Sequence, residues 1–382
     1  MTASAQTGQA VSTPLPTPGK AAKAKKRIYF LDMMKALAVL MMVEGHTVDA
    51  FLGDASRSSG SLTYTVWLGI RGFTAPIFMF SSGVVFTYLL KSNQLPFFEN
   101  PRVRKGFLRF LTLVAIGYLL RWPGKHVFDF SSVSDNQWRV FFTVDALHLI
   151  GFGLLFTLVL ALLGETLKAK DWIVFLCGTI FFFGMYPFTE SIHWKDHLPT
   201  FAAAYLYHGT GSYFPFFPWT GYVLSGAVLG SCLARHPDAF ASPAFSKKLL
   251  GAGVGILASS ILLDYSERAF YEGNVLWIDQ YGAVARRLGA VLMLNGVMSF
   301  IAQKLKSIPQ IVKQVGKHTL VVYVVHLVLI YGCAWYPGMN RYFHRKLTGP
   351  EAATAAAVMV ALMLLLVALI SLVGKIKKRI IP

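Results

Sequence analysis

Lys35 and His46 share the chain's first apolar segment, YFLDMMKALAVLMMVEGHTVDAF. On a helix turning about 100° per residue their directions differ by only about 20°, so both lie on one face. Asp32 and Asp49 flank that stripe, and Glu44 falls on roughly the opposite side. At about 1.5 Å rise per residue the two basic groups stand about 16 Å apart along the axis. An imidazole so placed can take a proton from an attacking hydroxyl or amine, or carry an acyl group itself. Asp49, one turn away, can orient the ring or stabilise its charged form. Arg71, in the next apolar segment, can stabilise a developing oxyanion. Taken singly, Lys35 fits snorkelling to an interface and His46 a helix-packing hydrogen bond. An ionisable group in a bilayer core is costly, so the two together, beside two carboxylates, favour a polar pathway or an active site.

Other segments place polar groups at similar depths. Asp145, His148, Arg286 and Arg287 should line an outward-facing cavity with His46, Asp49 and Arg71. Arg102, Lys105 and Arg109 fall at i, i+3 and i+7, on one face of a helix. That cluster can bind phosphates of a nucleotide-like ligand near Lys35, or simply snorkel. His326 lies mid-segment in GKHTLVVYVVH, either bonded to another helix or facing the cavity. The remaining histidines show no metal-ligand spacing, so no metal is expected. Cys177, Cys232 and Cys333 all sit in apolar segments and read as small buried residues. Gly226 and Gly230 in SGAVLG form a small-xxx-small pair suited to helix packing.

The elements that must position these groups are membrane helices. Of 382 residues, 55% are hydrophobic and 14% charged, and the mean hydropathy is +0.53. Such a balance excludes a disordered chain, a disulfide scaffold and an ordinary cytosolic enzyme. Apolar blocks of spanning length lie at 29–51, 66–90, 103–121, 141–164, 171–187, 215–234, 248–264, 281–303, 317–336 and 351–374. The expectation is an all-α, polytopic integral membrane protein of about ten helices. Segment 188–214 should hold a short re-entrant or surface helix. No inverted repeat and no clearly broken helix pair is visible. Residues 1–27 read as a disordered basic tail, 28–375 as the membrane domain and 376–382 as a second basic tail. The net charge of +18 comes from basic residues between the apolar blocks, which argues against nucleic acid as a partner. On this layout twenty-two loop and tail Lys/Arg fall on the side of the termini and nine on the other, placing both termini in the cytoplasm.

The first helix, RIYFLDMMKALAVLMMVEGH, resembles the start of the transmembrane acyltransferases, in which (Arg/Lys)-x10-His opens the first conserved helix. IRGFTAPIFMFSSGVVFTYLL resembles the second helix of the heparan-α-glucosaminide N-acetyltransferase-like branch. VDALHLIGFGLL at 144–155, FPFFPWTGYVLSGAVLG at 214–230 and GKHTLVVYVVH at 316–326 are similar to further elements of that branch. The resemblance covers about residues 27–374. It implies transfer of an acyl group, acetyl by preference, from cytoplasmic acyl-CoA to an amine or hydroxyl of an envelope glycan or amino sugar at the outer face. His46, Lys35, Asp49 and Arg71 are then the candidate catalytic set. Arg102, Lys105, Arg109 and His326 are the candidate acetyl-CoA-binding set, with acetyl-CoA as the donor substrate. A bacterial plasma (inner) membrane is the expected location, the lipid bilayer a partner, and a homodimer is compatible with the pattern. The competing class is a polytopic transporter of a small solute, which would also use intramembrane ionisable groups.

Overall fold

The computed structural model describes residues 28–380, apart from residue 59 and residues 271–275. The tail expected over 1–27 lies outside the described residues, as do 381–382. The helices are α1 (Tyr29–Phe51), α2 (Leu62–Arg71), α3 (Thr74–Lys91), α4 (Pro101–Leu120), α5 (Asp135–Phe142), α6 (Ala146–Thr166), α7 (Asp171–Gly184), α8 (Tyr186–Glu190), α9 (Thr200–Ala203), α10 (Phe216–Arg235), α11 (Pro243–Phe270), α12 (Leu276–Lys304), α13 (Gln310–Lys317), α14 (Thr319–Tyr331), α15 (Asn340–Phe343) and α16 (Gly349–Ile380). No β-strand occurs among the described residues. Local chemistry marks several starts. Ser61, Asn100, Ser134 and Asp145 cap α2, α4, α5 and α6 by accepting from backbone N–H groups of the first turn.

The ten apolar blocks fall mainly on helices, although 66–90 is divided between α2 and α3 and 317–336 between α13 and α14. Among the described residues, seven helical stretches are long and apolar enough to cross a membrane, or eight if α13 and α14 form one bent span. The blocks at α1 and α4 fall short because of their charges: Asp32, Lys35, Glu44 and Asp49 on α1, and Arg102, Arg104, Lys105 and Arg109 on α4. Backbone hydrogen bonds are satisfied within each helix, which is what a hydrocarbon environment demands. The pair α13 and α14 corrects the expectation of unbroken helices, since their axes bend by 75° at His318. Segment 188–214 holds the end of α8 and the four-residue α9 as α-helix. α16 continues to Ile380, into the stretch read as a basic tail.

α1 is the central element. It packs against α3, α12, α13, α14 and α16, and Met34, Ala38, Val39 and Val43 are fully buried. A second layer is built on α10, which lies against α3, α6 and α7. The α3–α10 contact is close because of glycine. A Cβ on Gly226 would stand 2.1 Å from the Phe80 carbonyl oxygen, and one on Gly83 1.9 Å from that of Val223. Small residues let the two backbones touch where larger side chains would hold them apart. α11 and α12 form a similar pair, with Gly253 and Gly289 facing one another's backbone. The cysteines depart from the expected burial: Cys177 and Cys232 are exposed on α7 and α10, and Cys333 is half-buried. An exposed thiol on an apolar helix is compatible with a hydrocarbon surround, so apolar context alone did not specify burial.

Candidate active site

The C-terminal half of α1 opens into a cavity of about 780 Å³. Its walls come from α1, the junction of α2 and α3, the end of α4, α5, the start of α6 and α10, α12, and the end of α14. His46 lines it. Its Nδ1 stands 3.2 Å from the Tyr331 hydroxyl, and the Tyr331 ring meets the imidazole edge-on at 5.7 Å. Tyr331 Oη also donates to the His46 carbonyl oxygen at 3.3 Å. Because that hydroxyl proton is committed, the Tyr331 oxygen accepts from Nδ1–H. The tautomer assigned by this network leaves the lone pair on Nε2.

Asp49 does not reach the imidazole. It accepts from Arg71 Nη2 at 2.9 Å and from Arg57 Nη1 at 3.5 Å, while the Asp49 carbonyl takes Arg57 Nη2. The orienting contact on His46 is therefore made by Tyr331. Arg71 lies across Gly45 of α1 and over the Trp67 ring, 5.6 Å from its centroid. Trp67 Nε1 in turn donates to Glu44 at 2.7 Å. Asp49 and Arg71 both line the cavity with His46.

Asp145, at the cap of α6, accepts from Arg121 Nε at 3.2 Å, and its carboxylate lies 3.0 Å from His148 Nδ1. Asp145 and Arg121 border the cavity, whereas His148 is fully buried behind it. The His148 ring needs the bare face of Gly117, where a Cβ would fall 2.6 Å from its Cε1. Arg287 lines the cavity, but Arg286 turns away and pairs with Asp264 at 2.6 Å. Cys333, just beyond α14, is another wall residue.

The other sequence-derived candidates lie apart. Lys35 pairs with Asp32 at 3.1 Å near the N-terminal end of α1, outside the cavity walls. Arg102, Lys105 and Arg109 on α4 make no ion pair among the described residues and are not cavity residues. α4 packs on α6 and α3. His326 is fully buried, with its ring 5.5 Å from that of His46. It donates from Nδ1 to the Val322 carbonyl at 2.7 Å, and its Nε2 has no partner. His46, Asp49, Arg71, Asp145 and Arg287 are thus brought to one cavity, with His326 behind His46.

Tyr331 escaped the sequence reading. A tyrosine near the end of an apolar helix ordinarily belongs to an interfacial aromatic belt, so its type gives no hint of a histidine partner. Arg121 was counted only as a loop charge. The signal for it was Asp145, a buried carboxylate that needs a cation.

A family model described as the catalytic domain of heparan-alpha-glucosaminide N-acetyltransferase matches residues 27–265. The chain belongs to this family. No curated protein matches it. The family supports a membrane acetyltransferase activity. The matched region supplies His46, Asp49 and Arg71. Arg287 and Tyr331 of the cavity wall, and His326 behind it, lie beyond its end.

Proposed function

We propose that the protein transfers an acyl group, acetyl by preference, from cytoplasmic acyl-CoA to an amine or hydroxyl of an envelope sugar at the outer face. One observation carries this reading: His46 is held through Nδ1 by Tyr331 while its ring borders a cavity shared with Arg71. A cavity of about 780 Å³ is within the usual range for small-ligand sites, about 300–1,000 Å³.

In this mechanism His46 Nε2 removes the proton from the acceptor as its nitrogen or oxygen attacks the thioester carbonyl. The carbonyl oxygen becomes an oxyanion, which Arg71 stabilises. The tetrahedral species collapses by breaking the C–S bond. The acyl group stays on the acceptor, and the thiolate of CoA leaves with the proton held by His46. Tyr331 keeps Nδ1 protonated throughout, which fixes Nε2 as the working nitrogen. Arg102, Lys105 and Arg109 are proposed to hold the phosphates of the donor, and the acyl arm would run along α1 toward His46. His326 is proposed to back the His46 ring from within the bundle. The plasma membrane is the compartment in which such a donor and acceptor meet.

The test uses full-length protein in nanodiscs with radiolabelled acetyl-CoA and a mixture of amino sugars. Wild type should move label to sugar. His46→Ala should fold and lose about 10²–10⁴-fold, the usual contribution of a general base. Full activity in that variant would sink the mechanism. No transfer and no acetyl-CoA binding by wild type would favour a solute transporter instead.

A further inference from the structure

The cavity's charges are nearly all spent on one another. Arg71 is held by Asp49, and Arg121 by Asp145. Arg287 is the exception. It borders the cavity and pairs with no carboxylate among the described residues. Its guanidinium lies over the Trp219 ring, 5.4 Å from the centroid, beside the Tyr222 hydroxyl. Two nearby carboxylates have other partners. Asp264 binds Arg286, and Glu190 binds His208. At about 1.5 Å per residue Arg287 sits about 14 Å into the Ile278–Lys304 stretch, which is long and apolar enough to span. A cation at such depth is costly unless it faces a polar cavity and meets a partner there. The Trp219 face supplies part of that compensation, but a ring quadrupole does not neutralise a charge.

We infer that Arg287 is an anion anchor: it receives a phosphate, sulfate or carboxylate of the bound ligand inside the cavity, with Trp219 holding the guanidinium flat behind it. A planar guanidinium fixed by an aromatic face presents its remaining N–H groups as a fork, the geometry that suits a tetrahedral or planar oxyanion. The acceptor assignment rests on the acyltransfer reading and makes the acceptor acidic. The donor's phosphates are the other source of the same chemistry.

Binding without any acyl donor separates these outcomes from the fate of the catalytic reading. Methyl glucosaminide and its 6-sulfate ester are titrated calorimetrically against wild type, Arg287→Gln and Arg287→Lys in nanodiscs. A parallel arm compares CoA with dephospho-CoA, which lacks the 3′-phosphate. The expected result is about tenfold tighter binding of the sulfate ester to wild type, as one charge-assisted hydrogen-bonded pair provides. Arg287→Gln should erase that preference, and Arg287→Lys should retain part of it. Loss confined to CoA over dephospho-CoA would keep the anchor and assign it to the donor. If wild type discriminates in neither arm, or if Arg287→Gln changes neither, the anchor is refuted. Should Arg287→Gln fail to fold, the wild-type preference and its partial retention in Arg287→Lys still decide. Intact anion preference in a protein that transfers no acetyl group would refute the acyltransferase reading alone.

Discussion

The two ends of α1 carry the same kinds of residue and are built for different work. At the N-terminal end Lys35 meets Asp32 on its own helix, and α13 closes over the pair, with Gly316 so near that a Cβ would stand 3.0 Å from the Asp32 carbonyl oxygen. At the C-terminal end Asp49 looks to α2 for Arg71, His46 looks to α14 for Tyr331, and both face open space. A charge satisfied within its helix leaves a closed surface. A charge satisfied across helices holds the helices at a distance and frames a cavity. The proposed chemistry lies at the end whose partners come from elsewhere in the chain.

Substitutions can break or sharpen that contrast. His46→Ala stands first, as the change that removes the proposed base. Arg71→Gln should come next, lowering kcat for acetyl transfer by about 10²–10³-fold, as loss of an oxyanion donor does. A rise in KM alone would make Arg71 a structural partner of Asp49 instead. Tyr331→Phe should cost about tenfold in kcat with KM unchanged, the worth of one hydrogen bond that fixes a tautomer. An unaltered kcat would show that His46 needs no orienting partner. Lys35→Met should have the smallest effect on transfer, within about threefold, because its partner Asp32 lies on the same helix and such pairs are worth little. A hundredfold loss there would join the two ends of α1 into a single path and erase the contrast.

Much of the architecture was readable before any coordinates. The apolar blocks fall mainly on helices, since hydrocarbon length leaves few alternatives. Gly226 and Gly230 do bring α10 onto α3. The shared face of Lys35 and His46 was also readable, and only His46 lines the cavity. Helical spacing fixes direction, but depth and neighbours decide whether a face meets protein or a cavity. Asp49 was expected to serve His46 because it lies one turn away. The guanidinium of Arg71, a stronger partner for a carboxylate than a neutral ring, takes it instead. Tyr331 comes from 285 residues away, a separation no local pattern can signal. The bend at His318 carried no proline to announce it.

The placement of the three thiols gives the molecule a reporter of its own orientation. Cys333 borders the cavity, while Cys177 and Cys232 sit on the exposed flanks of α7 and α10. A water-soluble alkylating agent that cannot cross a sealed vesicle would meet Cys333 from only the face onto which the cavity opens. A ligand seated against Tyr331 would shield it, while the two flank thiols, facing hydrocarbon, would stay unlabelled. The native chain thus lends itself to topology mapping without an introduced cysteine.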